Sequence, residues 1–102
     1  MTRSSGILLP VSALPGPCGI GDLGTAARDF IDFLAAAGQR YWQILPLNPP
    51  DSAHSPYLSA STFAGSTDLL SPEPFMARGA LAADEVRSVD WGGDPMRVDY
   101  GR

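Results

Sequence analysis

The most regular stretch of the chain is residues 25–37, where Ala27, Phe30, Ile31, Leu34 and Ala37 recur at i, i+3, i+4, i+7 and i+10. That spacing lines up five apolar side chains on one stripe of an amphipathic α-helix. Thr25 stands where an N-cap belongs and Gly38 where a C′ glycine belongs. Arg28 and Asp32, four apart, fall on the opposite face. Short unbroken apolar runs flank this helix: Gly6-Ile7-Leu8-Leu9, stopped by Pro10, and Tyr41-Trp42-Gln43-Ile44-Leu45, closed by Pro46. They predict strands over residues 6–9 and 41–45. Strand, helix and strand in succession make a βαβ unit, which requires parallel strands and a right-handed crossover.

The periodicity then stops. Residues 48–70, from Asn48 through Pro49-Pro50-Asp51-Ser52-Ala53-His54-Ser55-Pro56-Tyr57 and onward, follow neither the helical nor the strand period. A stretch longer than ~15 residues without structure of its own is uncommon in a compact domain and tends to be a binding loop or lid. Ser71-Pro72 opens a short helix toward Ala77, a second short helix is expected from Ala82 to Val89, and the remainder, with Trp91 and Tyr100, is irregular. Two parallel strands leave both faces and both edges of a sheet uncovered. The pattern therefore predicts an α/β fold that is incomplete within these residues.

Composition narrows the function classes. With 102 residues, 44 % hydrophobic and 18 % charged, the chain is globular and holds at most one small domain. Eleven acids oppose seven bases, all of them Arg, for a net charge of −4. That balance, with no basic cluster, argues against nucleic acid and anionic membranes as partners. No apolar run approaches the ~20 residues of a membrane span, and the N-terminal residues lack the apolar core of a signal peptide. A cytoplasmic location is the expectation. The single cysteine, Cys18, excludes an internal disulfide and any multi-cysteine zinc site. Eleven Gly and 10 Pro, about a fifth of the chain, make it loop-rich, and loops carry function.

Few residues carry chemistry on their own account. Gly19-Ile20-Gly21-Asp22-Leu23-Gly24 matches G-x-G-x-x-G ahead of a helix. A dinucleotide site needs those glycines directly after the strand and an acid about 20 residues later. Here nine residues separate Leu9 from Gly19, and no Asp or Glu occurs from Phe33 to Pro50. A structured turn is the better reading, and no cofactor is called for. His54 is the only histidine, so neither a two-histidine metal site nor, without Cys18 beside it, a Cys–His pair can form. No metal ligand is assigned. Asp22, Asp51 and Asp68 lie in loops, but no spacing brings two of them to the 5–10 Å of a glycosidase pair. Ser55-Pro56-Tyr57 is more informative. A proline-fixed backbone presents a tyrosine whose ring face and hydroxyl suit the apolar faces and hydroxyl groups of a sugar, although a loop tyrosine also serves local packing.

Several blocks together resemble one family. Residues 5–16 (Ser-Gly-Ile-Leu-Leu-Pro-Val-Ser-Ala-Leu-Pro-Gly), Gly19 to Gly24, the helix ending Ala37-Gly38-Gln39, and Tyr41-Trp42-Gln43-Ile44-Leu45-Pro46-Leu47 resemble the opening of the 4-alpha-glucanotransferases (amylomaltases, or disproportionating enzymes). Ser55-Pro56-Tyr57 and Ser61-Thr62-Phe63-Ala64-Gly65 continue in the family's order. The likeness is strong over residues 3–70 and weaker beyond, where Arg97-Val98-Asp99-Tyr100 is also family-like. Departures occur at His54, where the family often has Asp or Asn, at Pro49-Pro50-Asp51-Ser52-Ala53, and at Gly65-Ser66-Thr67. These bear on fine glucan specificity.

The resemblance implies a (β/α)₈ TIM barrel that moves α-1,4-glucan segments between maltodextrin, starch or glycogen chains by a retaining double displacement. That fold takes ~250 residues or more, so the chain is expected to be its N-terminal portion and to need the rest of the barrel. The resemblance also implies that the nucleophile, the acid/base and a stabilising carboxylate sit on later strands. No position here matches their motifs, so no catalytic residue is assigned. Tyr57 and Ser55 match residues lining the glucan cleft, Tyr57 as a stacking and hydrogen-bonding contact and Ser55 as its polar neighbour. The alternative is a free-standing truncated remnant, non-catalytic and at most a weak binder of maltodextrin.

Overall fold

The computed structural model describes residues 2–92, 97, 98 and 100; Asp99, residues 93–96 within the segment expected to be irregular, and the last two residues lie outside the described residues. The order of elements is β1 (Gly6–Leu8), a 3₁₀ turn (Val11–Ala13), α1 (Thr25–Ala36), β2 (Tyr41–Gln43), a second 3₁₀ turn (Thr67–Leu69), α2 (Glu73–Ala77) and α3 (Ala83–Arg87). The fold is α/β. β1 and β2 pair in parallel, with Gly6 opposite Tyr41, Ile7 opposite Trp42 and Leu8 opposite Gln43.

Both strands are shorter than their apolar runs, for one reason. Leu9 still donates its N–H to the Gln43 carbonyl at 3.0 Å, and Arg40 donates to Ser5 at 2.9 Å. The Leu9 carbonyl, which would accept the next ladder bond, takes the Trp42 indole N–H at 2.9 Å instead, and from Pro10 the chain turns away into the 3₁₀ turn. Ile44 and Leu45 are therefore left without a β1 partner and stay outside the ladder, although both are half-buried.

α1 ends in a full Schellman motif. Gly38 (φ 77°) donates to the Ala35 carbonyl at 3.1 Å and Gln39 to the Leu34 carbonyl at 2.9 Å. Its start differs from the sequence expectation. The N-cap is Gly24, not Thr25, because a Cβ at position 24 would fall 2.6 Å from Ser71 Oγ and 2.7 Å from Asp22 Oδ1. With no side chain at the cap, α2 supplies the acceptor. Glu73 Oε2 takes the Thr25 N–H at 3.2 Å and its hydroxyl at 2.6 Å. A carboxylate there also suits the positive end of the helix dipole.

The core is small. Val11, Leu14 and Ala27 are buried, with Leu9, Ala26, Phe30, Trp42, Ile44 and Leu69 packed around them. Phe30 meets Trp42 edge to face at 5.0 Å, and the Trp42 indole N–H donates to the Leu9 carbonyl at 2.9 Å. Of the five stripe residues, Ala27 and Leu34 are buried and Phe30 half-buried, but Ile31 is 53 % exposed and Ala37 is also exposed. Two strands ~4.8 Å apart are too narrow to cover the whole apolar face of a helix ~10 Å wide. Arg28 and Asp32 do not close an ion pair; the salt bridge found among the described residues joins Arg87 to Asp84 at the surface. No described helix is long and apolar enough to cross a membrane.

Candidate functional site

The segments that follow β1 and β2 are knitted together on one side of the molecule. Gly21 donates to the Ser12 carbonyl at 3.0 Å and Leu23 to the Leu69 carbonyl at 3.0 Å. The approach at Gly21 is so close that a Cβ would strike the Val11 carbonyl. This glycine of the G-x-G-x-x-G pattern thus serves backbone packing, as a structured turn requires. Across the second loop, Ser66 donates to the Leu47 carbonyl at 2.6 Å and Asn48 Nδ2 to the Ser61 carbonyl at 3.0 Å.

Within that second loop one carboxylate does most of the folding. Asp51 Oδ1 accepts the N–H groups of both Ala53 and Ser55 at 3.0 Å. Its own N–H donates to the Ser55 carbonyl at 3.3 Å, and its carbonyl accepts from His54 at 2.9 Å. Aspartate suits this position because its short side chain reaches backbone N–H groups two or more residues ahead. The turn carries Ser55, half-buried, whose Oγ lies 3.4 Å from the Tyr57 N–H that it accepts. The Tyr57 ring is left 68 % exposed, followed by Leu58 at 67 % and Phe63 at 99 %. Ser55 and Tyr57 are thus adjacent on the rim of the loop, the tyrosine open to solvent.

Two cavities adjoin this loop. One, of about 220 Å³, lies at the carboxyl ends of the strands and is walled by Val11, Ser12, Leu45, Asn48 and Pro56. The other, of about 520 Å³, lies between the first loop and the helices beyond, walled by Cys18, Asp22, Ser71, Phe75 and Trp91. His54 and Tyr100 line both cavities. Their rings stack, with centroids 4.3 Å apart and planes 13° from parallel.

The acids are largely committed to structure. Asp22 is buried and accepts the Gly24 N–H at 3.0 Å. Burial pushes its carboxyl above the ordinary value of 3.8; the Gly24 bond pulls the other way and nearby Glu73 adds to the rise. Burial, with Asp22 and Glu73 alongside, also pushes the Cys18 thiol up, so this cysteine is held as a thiol, not as a reactive thiolate. Among the described residues no group of three His, Cys, Asp or Glu could hold a metal ion.

Because the folded state holds the Asp22 proton more tightly than the unfolded chain, its stability contribution is full below pH 3.8 and is lost as pH rises through the raised folded value. Asp22→Asn keeps the carbonyl that accepts from Gly24 and removes the buried charge. Thermal melts of the protein from pH 3 to 8 are expected to give Asp22→Asn the higher Tm at neutral pH, with the gain vanishing in acid. A neutral-pH Tm below wild type would mean that the ionised form is the one the fold needs.

The sequence points to Ser55 and Tyr57 as candidates but not to two of their neighbours. By sequence Asp51 is one loop acid among three, yet an aspartate just ahead of Ser-Ala is a legible signal for a side-chain-to-backbone turn. The His54–Tyr100 stack joins distant segments, and no local pattern announces it.

Comparison with known proteins identifies the family. The family model described as 4-alpha-glucanotransferase matches residues 9–102. A 4-alpha-glucanotransferase of Thermus thermophilus is 48 % identical over 101 residues, covering 99 % of this chain and 19 % of that protein. One from Streptococcus pneumoniae serotype 4 is 46 % identical over 100 residues, covering 98 % and 20 %. Among solved structures, an amylomaltase from Streptococcus agalactiae in complex with acarbose superposes with a TM-score of 0.95 at 40 % identity, over 98 % of this chain and 20 % of that one. The chain thus spans about a fifth of the length of these relatives. With the family model covering nearly all its residues, the chain belongs to the 4-alpha-glucanotransferase family.

Proposed function

We propose that these residues form the first part of the (β/α)₈ barrel of a cytoplasmic 4-alpha-glucanotransferase, and that the loop over residues 48–70 contributes Tyr57 and Ser55 to its glucan cleft. The observation that carries this reading is the site of the loops. Both long segments leave the carboxyl ends of parallel strands, the end at which barrel enzymes bind substrate, and the second holds Tyr57 open beside Ser55. The acarbose bound in the similar amylomaltase supports an α-glucan as the ligand. Exposed Ile7, Leu8, Ile31 and Tyr41 on the sheet and α1 are the surface that neighbouring strands and helices of a barrel would cover.

In this reading the chain binds and positions. The Tyr57 ring offers an apolar face to the C–H groups of a glucose unit and its hydroxyl a hydrogen bond, with Ser55 as polar neighbour. A retaining transfer needs a carboxylate nucleophile and a carboxyl acid/base. Neither is assigned here, since Asp22, Asp51 and Glu73 are spent on backbone or helix-cap hydrogen bonds; both groups belong to the remainder of the barrel. The glycosyl-enzyme then passes to a sugar hydroxyl in place of water, which a covered cleft favours.

Incubation with maltotriose tests this. The native gene product is expected to release glucose and build longer maltodextrins, while the 102-residue chain alone does neither. Transfer by the 102-residue chain would contradict the assignment of the catalytic carboxylates to other strands. No transfer by the native product would support a non-catalytic remnant instead.

A further inference from the structure

We infer that His54 is a positioning residue for glucan binding, locking the turn that carries Ser55 and Tyr57 by stacking its ring on Tyr100; the inference rests on the glucan reading above. His54 has φ 60°, alone among the described non-glycine residues in being positive. Left-handed backbone is strained for a residue with a β-carbon, and such strain persists only where the surroundings impose it.

The turn itself does not impose a histidine. Its hydrogen bonds run through the Asp51 carboxylate and carbonyl to backbone N–H groups of Ala53, Ser55 and His54. Glycine or asparagine at position 54 would make the same bonds with less strain. What a flat ring adds is the contact with Tyr100, at 4.3 Å and 13°. That contact is the structural gain set against the strained backbone, and it fastens the turn directly beside Ser55. The stacked pair also lines both cavities, so loss of the ring both frees the turn and alters the lining of each.

Three variants in the full-length protein separate ring from backbone. His54→Phe keeps a stacking ring, His54→Asn keeps an easy left-handed turn without the ring, and His54→Ala keeps neither. Acarbose affinity by calorimetry and maltotriose kinetics are the readouts, with thermal melts as the folding control. His54→Ala and His54→Asn are expected to bind acarbose about tenfold more weakly, with KM raised and kcat within about twofold, as loss of positioning predicts. His54→Phe is expected to stay within about twofold of wild type. If His54→Ala does not fold, the Phe and Asn variants decide the question. Wild-type affinity in His54→Asn or His54→Ala would overturn the inference, and so would weak binding by a stably folded His54→Phe. A wild type that neither binds acarbose nor transfers glucose would overturn the glucan reading, and this inference with it.

Discussion

Replacing Tyr57 by alanine in the complete enzyme is expected to lower kcat/KM for maltotriose by about tenfold or more, the equivalent of ~1.4 kcal/mol or more of transition-state binding. Tyr57 is 68 % exposed and its backbone N–H donates to Ser55 Oγ, so truncation removes little packing. A change in kinetics without a fall in Tm would therefore report lost contact with the sugar. Tyr57→Phe divides that loss: retained activity assigns the effect to the ring face, and a drop assigns part of it to the hydroxyl. Unchanged kinetics in Tyr57→Ala would reduce the residue to a surface tyrosine.

Leu34→Ala carries the second large effect, this time on stability. Leu34 is 6 % exposed on the inner face of α1, and its carbonyl accepts the bond that closes the Schellman motif. Removing three carbons from a buried leucine costs about 2–5 kcal/mol, the spread depending on how far the site collapses. Urea denaturation of the complete protein measures it. A change below about 0.5 kcal/mol would mean that the buried face of the helix is assigned wrongly. Leu34 is a sharper probe than Ile31, which shares the apolar stripe but stands 53 % exposed.

These two residues also mark what local pattern reveals. The spacing that put Leu34 inside α1 is a property of a dozen neighbouring residues, and the Gly38 stop follows from the same local geometry. Strand lengths are less legible, because the apolar run does not record that the Trp42 indole takes the Leu9 carbonyl and that the chain turns at Pro10, leaving Ile44 and Leu45 outside the ladder. The start of α1 is set by nonlocal contacts. Ser71 occupies the space a capping side chain at position 24 would need, and Glu73 caps from another helix.

The candidate site divides in the same way. A proline-fixed tyrosine is visible in Ser55-Pro56-Tyr57, and Asp51 has the chemistry of a turn-former. The meeting of His54 with Tyr100 depends on how the chain returns, which neither segment encodes by itself. The glucan role drew on the family likeness from the start, because no carboxylate pair within these residues announces glycosyl transfer. The fold gives part of the reason: two of the three loop acids, Asp51 at the turn and Asp22 beneath α1, are drawn into backbone contacts.

The most direct test of the account is the intact mass of the native gene product in its source cells. In the Streptococcus pneumoniae relative the 100 matched residues are 20 % of the protein, a length of about 500 residues. The account predicts a mass several times the 10.8 kDa of this chain, with the remaining strands supplying the nucleophile and acid/base. A native product of 10.8 kDa would contradict it, leaving a βαβ unit that shares the family's opening without the carboxylates its chemistry requires.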